Sequence, residues 1–89
     1  KESGDISMIT VILRPTLGKV RDSLLLRRIF GSLISSPGQD RFAFHIFEHG
    51  RGFMLDFPNY STHLHPELVT ELQNLVGDEN VRIEPITFQ

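Results

Sequence analysis

Apolar residues recur along this chain at two different spacings, and the change from one spacing to the other defines six elements. Residues 6–13 carry apolar side chains on both faces of an alternating run, which is typical of a strand with neighbours on each side. Intervals of three and four residues then predict a helix beginning near Val20 and a second helix over residues 66–76. Two alternating runs lie between the helices, in residues 42–59, and a short run follows at residues 81–84. The predicted order is strand, helix, strand, strand, helix, strand.

Proline and glycine residues predict where these elements end. Pro66 suits the first position of the second helix, where its missing N–H is not needed. The first helix is expected to end before Gly38, which can adopt a positive φ at low cost. A three-residue turn at residues 50–52 is expected to join the second and third strands. Pro85 would remove a ladder hydrogen bond from an interior strand, so the last strand is predicted to be an edge.

This order of elements predicts an α+β fold, the ferredoxin-like βαββαβ sandwich. We expect an antiparallel sheet with the spatial order 4-1-3-2, strand one in the interior, strand four at an edge, and both helices on one face. In the third strand, Phe53, Leu55 and Phe57 are expected to point toward the helices. Asp56 is then directed outward, because burying an unpaired carboxylate costs several kcal/mol.

Length and composition indicate one domain, at residues 6–89, after a flexible linker at residues 1–5. The 89 residues are 39% hydrophobic and 22% charged, and they contain no cysteine. Without disulfides or an apolar run near the roughly 20 residues that span a bilayer, the chain is expected to be cytoplasmic, with no membrane contact. The polar first residues suggest a piece cut from a longer protein.

Residues that carry chemistry are present, but their spacing predicts no reaction. No nucleophile motif and no glycine-rich phosphate loop occurs. Four histidines, at positions 45, 49, 63 and 65, come from separate places in the predicted layout and lack a completing cysteine or carboxylate cluster. The segment 51–53 resembles part of an RNA-stacking motif, yet its register would send Asp56 into the core. We therefore predict no catalytic residue, no metal site and no cofactor.

Two surfaces remain as candidates for binding. The uncovered face of a ferredoxin-like sheet would be more apolar than a free monomer usually tolerates, so a partner protein, a neighbouring domain or a second copy is expected to cover it. A dimer would form through this open face or through an edge strand. The candidate docking face consists of Ala43, His45, Phe47, Met54 and Asp56. The candidate basic contact consists of Arg14, Lys19, Arg21, Arg27 and Arg28, although such a run is most often a solvated helix face, and the net charge of -2 makes nucleic-acid contact weak at most.

Several short motifs, from about Ile6 to Pro85, resemble one known family. In chain order they are LRP, LLLRRIFGSL, SSPGQDRFAFHI, MLDFPN, HPELVTEL and GDENVRIEP. This succession resembles the extreme C-terminal domain of bacterial replicative DNA polymerase III alpha subunits. The motifs carry structure rather than catalysis, so the resemblance is one of fold and position in a larger protein.

The resemblance implies a non-catalytic tail of a DNA-directed DNA polymerase in DNA replication. The domain would follow an OB-fold, in the region through which the alpha subunit is held by the clamp-loader subunit tau, and it would dock tau or neighbouring replisome parts. The family's catalytic carboxylates, its phosphoesterase-like metal ligands and its clamp-binding peptide have no matching position here. Two alternatives stay open: an ACT-like regulatory domain that binds a small ligand beside residues 15–18, and a weak binder of single-stranded nucleic acid.

Overall fold

The structure is a computed structural model that describes residues 5–15 and 18–87. The elements in chain order are β1 Ile6–Leu13, α1 Lys19–Ile34, β2 Arg41–Glu48, β3 Arg51–Asp56, α2 Pro66–Val76, a 3-10 turn Asp78–Asn80 and β4 Val81–Ile86. The six predicted elements are present in the predicted order, which gives an α+β fold with two helices and a four-stranded sheet. Most of the predicted linker, and Thr16 and Leu17 of the loop before α1, lie outside the described residues.

The strands lie in the order β3-β2-β1-β4. Strand β1 is interior and β4 is an edge beside it, as predicted. The predicted antiparallel neighbour of β1 is wrong, because β2 rather than β3 lies there and runs parallel to β1, so the sheet is mixed. The burial of the two strands agrees with this order. Three successive residues of β2 are buried, which suits an interior strand, whereas all six residues of β3 are exposed, which suits an edge.

One hydrophobic core joins both helices to alternate residues of the two interior strands. Its fully buried members are Ile9, Val11 and Leu13 of β1, Phe42 and Phe44 of β2, Ile29 and Leu33 of α1, and Leu68 and Leu72 of α2. Because side chains alternate along a strand, the core residues of β1 and β2 point to a single face of the sheet. The residues between them therefore point to the other face.

The inward prediction for the third strand is partly wrong. Phe57 packs against the core, with its ring centroid 5.0 Å from that of Phe42. Phe53 and Leu55 lie on the core side of the sheet, opposite Ile46 and Phe44, but remain 49% and 46% exposed. Within the described residues, β3 makes its main contacts with β2. Asp56 is exposed, as predicted.

The hairpin between β2 and β3 closes in two residues, not the predicted three. Glu48 pairs with Arg51, which leaves His49 and Gly50 as the loop, and both have positive φ values of 54° and 75°. Positive φ at both loop residues is the mark of a type I′ turn, whose twist matches that of the flanking strands. Gly52 consequently belongs to β3.

The start of α2 is as predicted. Pro66 occupies the first turn, and the Leu68 N–H donates to Nδ1 of the capping residue His65 at 3.3 Å. Glu67 lies in the same turn, 3.1 Å from His65 Nδ1. A hydrogen bond from the backbone N–H of Glu67, followed by the His65 contact, holds the pKa of the Glu67 carboxyl below its usual value.

A glycine is required at position 38 for a reason other than the predicted positive φ, which the structure does not show there. A Cβ on Gly38 would lie 2.8 Å from the backbone oxygen of Thr62 and 2.8 Å from His63 Cβ. The loop after α1 therefore passes directly against the loop before α2. The contacting atoms are backbone and Cβ, so they cannot rotate away.

We expect Gly38→Ala to lower the free energy of unfolding by about 1–3 kcal/mol, since the two loops must separate to admit the methyl group. Gly31→Ala is the matched control, because a Cβ there meets nothing within 4 Å. In the exposed part of α1 that substitution should raise stability by up to about 1 kcal/mol. Urea denaturation of both variants measures the difference, and equal midpoints would contradict the close approach.

Candidate docking face

The five residues of the candidate docking face lie together on one face of β2 and β3. In the antiparallel register Ala43 is opposite Asp56, and His45 is opposite Met54. Phe47 continues the same alternation along β2. These positions alternate with the core residues of β2, so the docking face points away from the core cluster. Their common orientation is set by strand alternation, which is why the sequence could predict it.

The residues of the docking face differ in exposure: some are buried and form its floor, and others are exposed to solvent. Ala43 is 1% exposed and Thr10 and Ile12, its neighbours on β1, are 7% and 5% exposed. Ala43 therefore belongs to the buried floor of this face, and its side chain is not accessible to a partner. This corrects its predicted place in the contact. Met54 and Phe47 are 52% and 36% exposed and form the exposed apolar part of the face.

A glycine makes room for the Phe47 ring at one end of the docking face. Gly52 lies opposite Phe47, and a Cβ on Gly52 would be only 2.8 Å from Cε1 of the Phe47 ring. The ring therefore lies across the glycine, with its centroid 4.3 Å from that of His45. The guanidinium carbon of Arg14 is 5.1 Å from the Phe47 centroid, in cation–π geometry. We call this group the Arg14–Phe47 stack.

The sequence prediction included Arg14 as a basic residue and Phe47 as an apolar one, but it did not join them. Their contact depends on β1 lying directly beside β2, which the predicted strand order did not have. Gly52 was assigned to the turn, so its place under the Phe47 ring was also missed. A turn of two residues would have revealed it, because the register then pairs position 47 with position 52.

Charged side chains border the apolar part of this face. Arg82 of β4 lies opposite Thr10, and Glu84 of β4 lies opposite Met8, and both charged residues are exposed. Asp56 is exposed at the other edge of the sheet. An apolar centre surrounded by charged and polar groups is the usual composition of a protein–protein interface.

The five predicted basic residues do not form one patch. Arg14 belongs to the Arg14–Phe47 stack at the end of β1. Lys19 and Arg27 line a shallow groove on α1 with Val20 and Leu24. The remaining residues of the set are Arg21, which is exposed on α1, and Arg28, which lines another groove together with Glu67 and Glu71. This arrangement gives no support to a continuous track for a nucleic-acid backbone.

The histidines are also dispersed. His63 and His65 stack with ring centroids 5.6 Å apart, but His45 lies on the docking face and His49 in the hairpin turn. Among residues 5–15 and 18–87, no group of three or more His, Cys, Asp or Glu side chains is arranged to hold a metal ion. In the same residues, no helix is long and apolar enough to cross a membrane.

A cavity of about 150 Å³ lies between the end of β1 and α1, the region where an ACT-like ligand site was expected. Its lining is mostly apolar, and it also includes the charged residues Arg14 and Asp22. Pockets for small ligands are usually about 300–1,000 Å³. The small volume of this cavity therefore gives little support to a regulatory ligand.

Comparison of the chain with protein-family models, with curated proteins and with solved structures found no match.

Proposed function

We propose that this chain is a non-catalytic protein-interaction module that binds its partner through the docking face. In this arrangement both helices cover one face of the sheet and the other face is left for the partner. The core cluster supports the proposal, because residues of α1 and α2 join the same alternate residues of β1 and β2. The observation that carries the proposal is the exposure of Phe47 and Met54 on the face away from that cluster.

The docking face has the features expected of a binding surface. Its floor, formed by Ala43 and Ile12 with the polar Thr10, is buried, and the Phe47 ring is positioned by Gly52 and Arg14 before a partner binds. Aromatic and arginine side chains carry a large share of the binding energy in known interfaces. A side chain that is already ordered loses little conformational entropy on binding.

For the partner, we propose the clamp-loader subunit tau or a neighbouring part of the replisome. This step rests on the resemblance of the chain to the C-terminal domain of bacterial DNA polymerase III alpha subunits. The chain would then be one end of a DNA-directed DNA polymerase in the bacterial cytoplasm. It would contribute attachment, and the polymerase's catalytic residues would lie elsewhere in the parent protein.

Phe47→Asp tests the docking face. We expect at least about a tenfold rise in the Kd for tau, because a charge replaces the apolar anchor of the face. Leu24→Asp is the matched control, since Leu24 is 58% exposed on α1, away from the docking face. Calorimetric titration of tau with both variants, after their folding is checked by circular dichroism, gives the comparison. Equal weakening by both substitutions would show that tau does not bind at this face.

A further inference from the structure

The free edge of β3 is unusual in its side chains. Phe53, Met54 and Leu55 are three successive large apolar residues that are 49%, 52% and 46% exposed. Edge strands are normally protected from pairing by proline, charge or a covering loop. The other edge of this sheet, β4, has such protection in Pro85. On β3 the charged residues stand only at the two ends, as Arg51 and Asp56.

The hairpin fixes which backbone groups of β3 face outward. A two-residue loop makes Glu48 and Arg51 a hydrogen-bonded pair, and such pairs alternate along an antiparallel ladder. Phe53 and Leu55 therefore use their N–H and C=O groups on β2. The N–H and C=O groups of Gly52, Met54 and Asp56 point away from the sheet.

Gly52 and Asp56 lie at equal distances on either side of Met54, so the pattern of outward-facing groups matches that of a second, antiparallel copy. In an antiparallel pairing of two copies, Met54 meets Met54 of the second copy, and Gly52 meets Asp56 of the second copy. Every outward group then has a partner, with two hydrogen bonds in each pair. Phe53 lies opposite Leu55 of the second copy, where cross-strand apolar contact adds stability.

The side chains also fit this register. Gly52 has no side chain to obstruct Asp56 of the second copy. That Asp56 would lie beside the Arg14–Phe47 stack, with its carboxylate directed toward the Arg14 guanidinium. The symmetric registers centred on Phe53 or on Leu55 would leave Asp56 or Gly52, respectively, beyond the end of the paired segment. Opposite charge and complete hydrogen bonding both favour the register centred on Met54.

We propose that two copies of this chain pair through β3, about a two-fold axis at Met54, and form a continuous eight-stranded sheet. The assembly is closed, because each copy uses its β3 edge and the outer edges are the Pro85-containing β4 strands. The contact is one strand long, so the association is weak and depends on protein concentration.

Cysteine cross-linking tests the register, since the natural chain has no cysteine. In the proposed dimer the two Cα atoms at position 54 are about 5.5 Å apart. The two at position 56 are separated by four residues of strand, about 13 Å along the sheet. We expect a short bis-maleimide to cross-link Met54→Cys at least tenfold faster than Asp56→Cys, the control on the same strand and face. Equal rates would overturn the register.

Leu55→Lys separates edge pairing from stacking of two open faces. Leu55 lies on the core side of the sheet and meets Phe53 of the second copy twice in the dimer, so the lysine should weaken self-association about tenfold in sedimentation experiments. Unchanged association, or unchanged cross-linking of Met54→Cys in this background, would overturn the edge contact. The docking face is unaltered in Leu55→Lys, so its binding of tau tests the docking proposal independently.

Discussion

Replacing Asp40 by alanine is expected to lower the free energy of unfolding by about 2–6 kcal/mol. Asp40 is 7% exposed, and its carboxylate accepts hydrogen bonds from two distant backbone groups, the Ser7 N–H at 2.9 Å and the Leu64 N–H at 2.8 Å. Alanine leaves both donors without a partner in a partly buried place. Each unsatisfied donor costs about 1–3 kcal/mol, so the loss is larger than that of an ordinary surface charge. Urea denaturation followed by circular dichroism measures it.

Two further variants make the Asp40 result specific. Asp56→Ala removes the same charge from an exposed position and should change stability by less than about 0.5 kcal/mol. Asp40→Asn keeps one accepting oxygen but turns an amide N–H toward the second donor, so it should lie between wild type and Asp40→Ala. If all three variants melt at the same urea concentration, the Asp40 carboxylate does not join these segments.

The connection made by Asp40 could not have been read from its neighbours in the chain. It follows proline and glycine in a segment that predicts only a loop, and its partners are 33 and 24 residues away. Thr62 is similar, since it exchanges backbone hydrogen bonds with Asp40 at 2.9 Å and its Oγ1 donates to the Leu33 oxygen at 2.5 Å. Burial of these polar groups depends on three segments meeting, which no local pattern encodes.

The order of elements and the orientation of side chains were predictable because they depend on local periodicity. Strand alternation places His45, Met54 and Asp56 on one face whichever strands are neighbours. The choice of neighbour for β1 is a tertiary property, and there the ferredoxin-like expectation was wrong. Composition did not separate the two candidates, because residues 42–44 of β2 and residues 53–55 of β3 are both runs of three apolar residues.

The strand order also decides what the two candidate contacts can be. With β2 beside β1, Arg14 reaches the Phe47 ring and completes the docking face. With β3 at the edge, Phe53 and Leu55 stay half exposed and become available for a second copy. The predicted order, with β3 in the interior, would have buried these residues and removed the self-complementary edge. Both proposals therefore depend on the mixed sheet.

Phe42→Ala is expected to destabilise the domain by about 3–5 kcal/mol. Phe42 is 2% exposed, and its ring centroid lies 6.0 Å from that of Phe30 and 5.0 Å from that of Phe57. The truncation removes the apolar contacts and leaves a cavity between α1 and the sheet, which close-packed neighbours fill only in part. A domain of this size has a total stability of about 4–13 kcal/mol, so much of the chain would unfold at low urea concentration.

Phe53→Ala is the control for Phe42→Ala, because it makes the same chemical change on the same side of the sheet. Phe53 is 49% exposed at the edge, so its truncation should cost about 1 kcal/mol or less. Phe42→Ala should therefore lose the proposed tau binding and the proposed self-association together, by unfolding. Phe53→Ala should remain folded and weaken only the proposed self-association. Similar urea midpoints for the two variants would contradict the placement of Phe42 in the core.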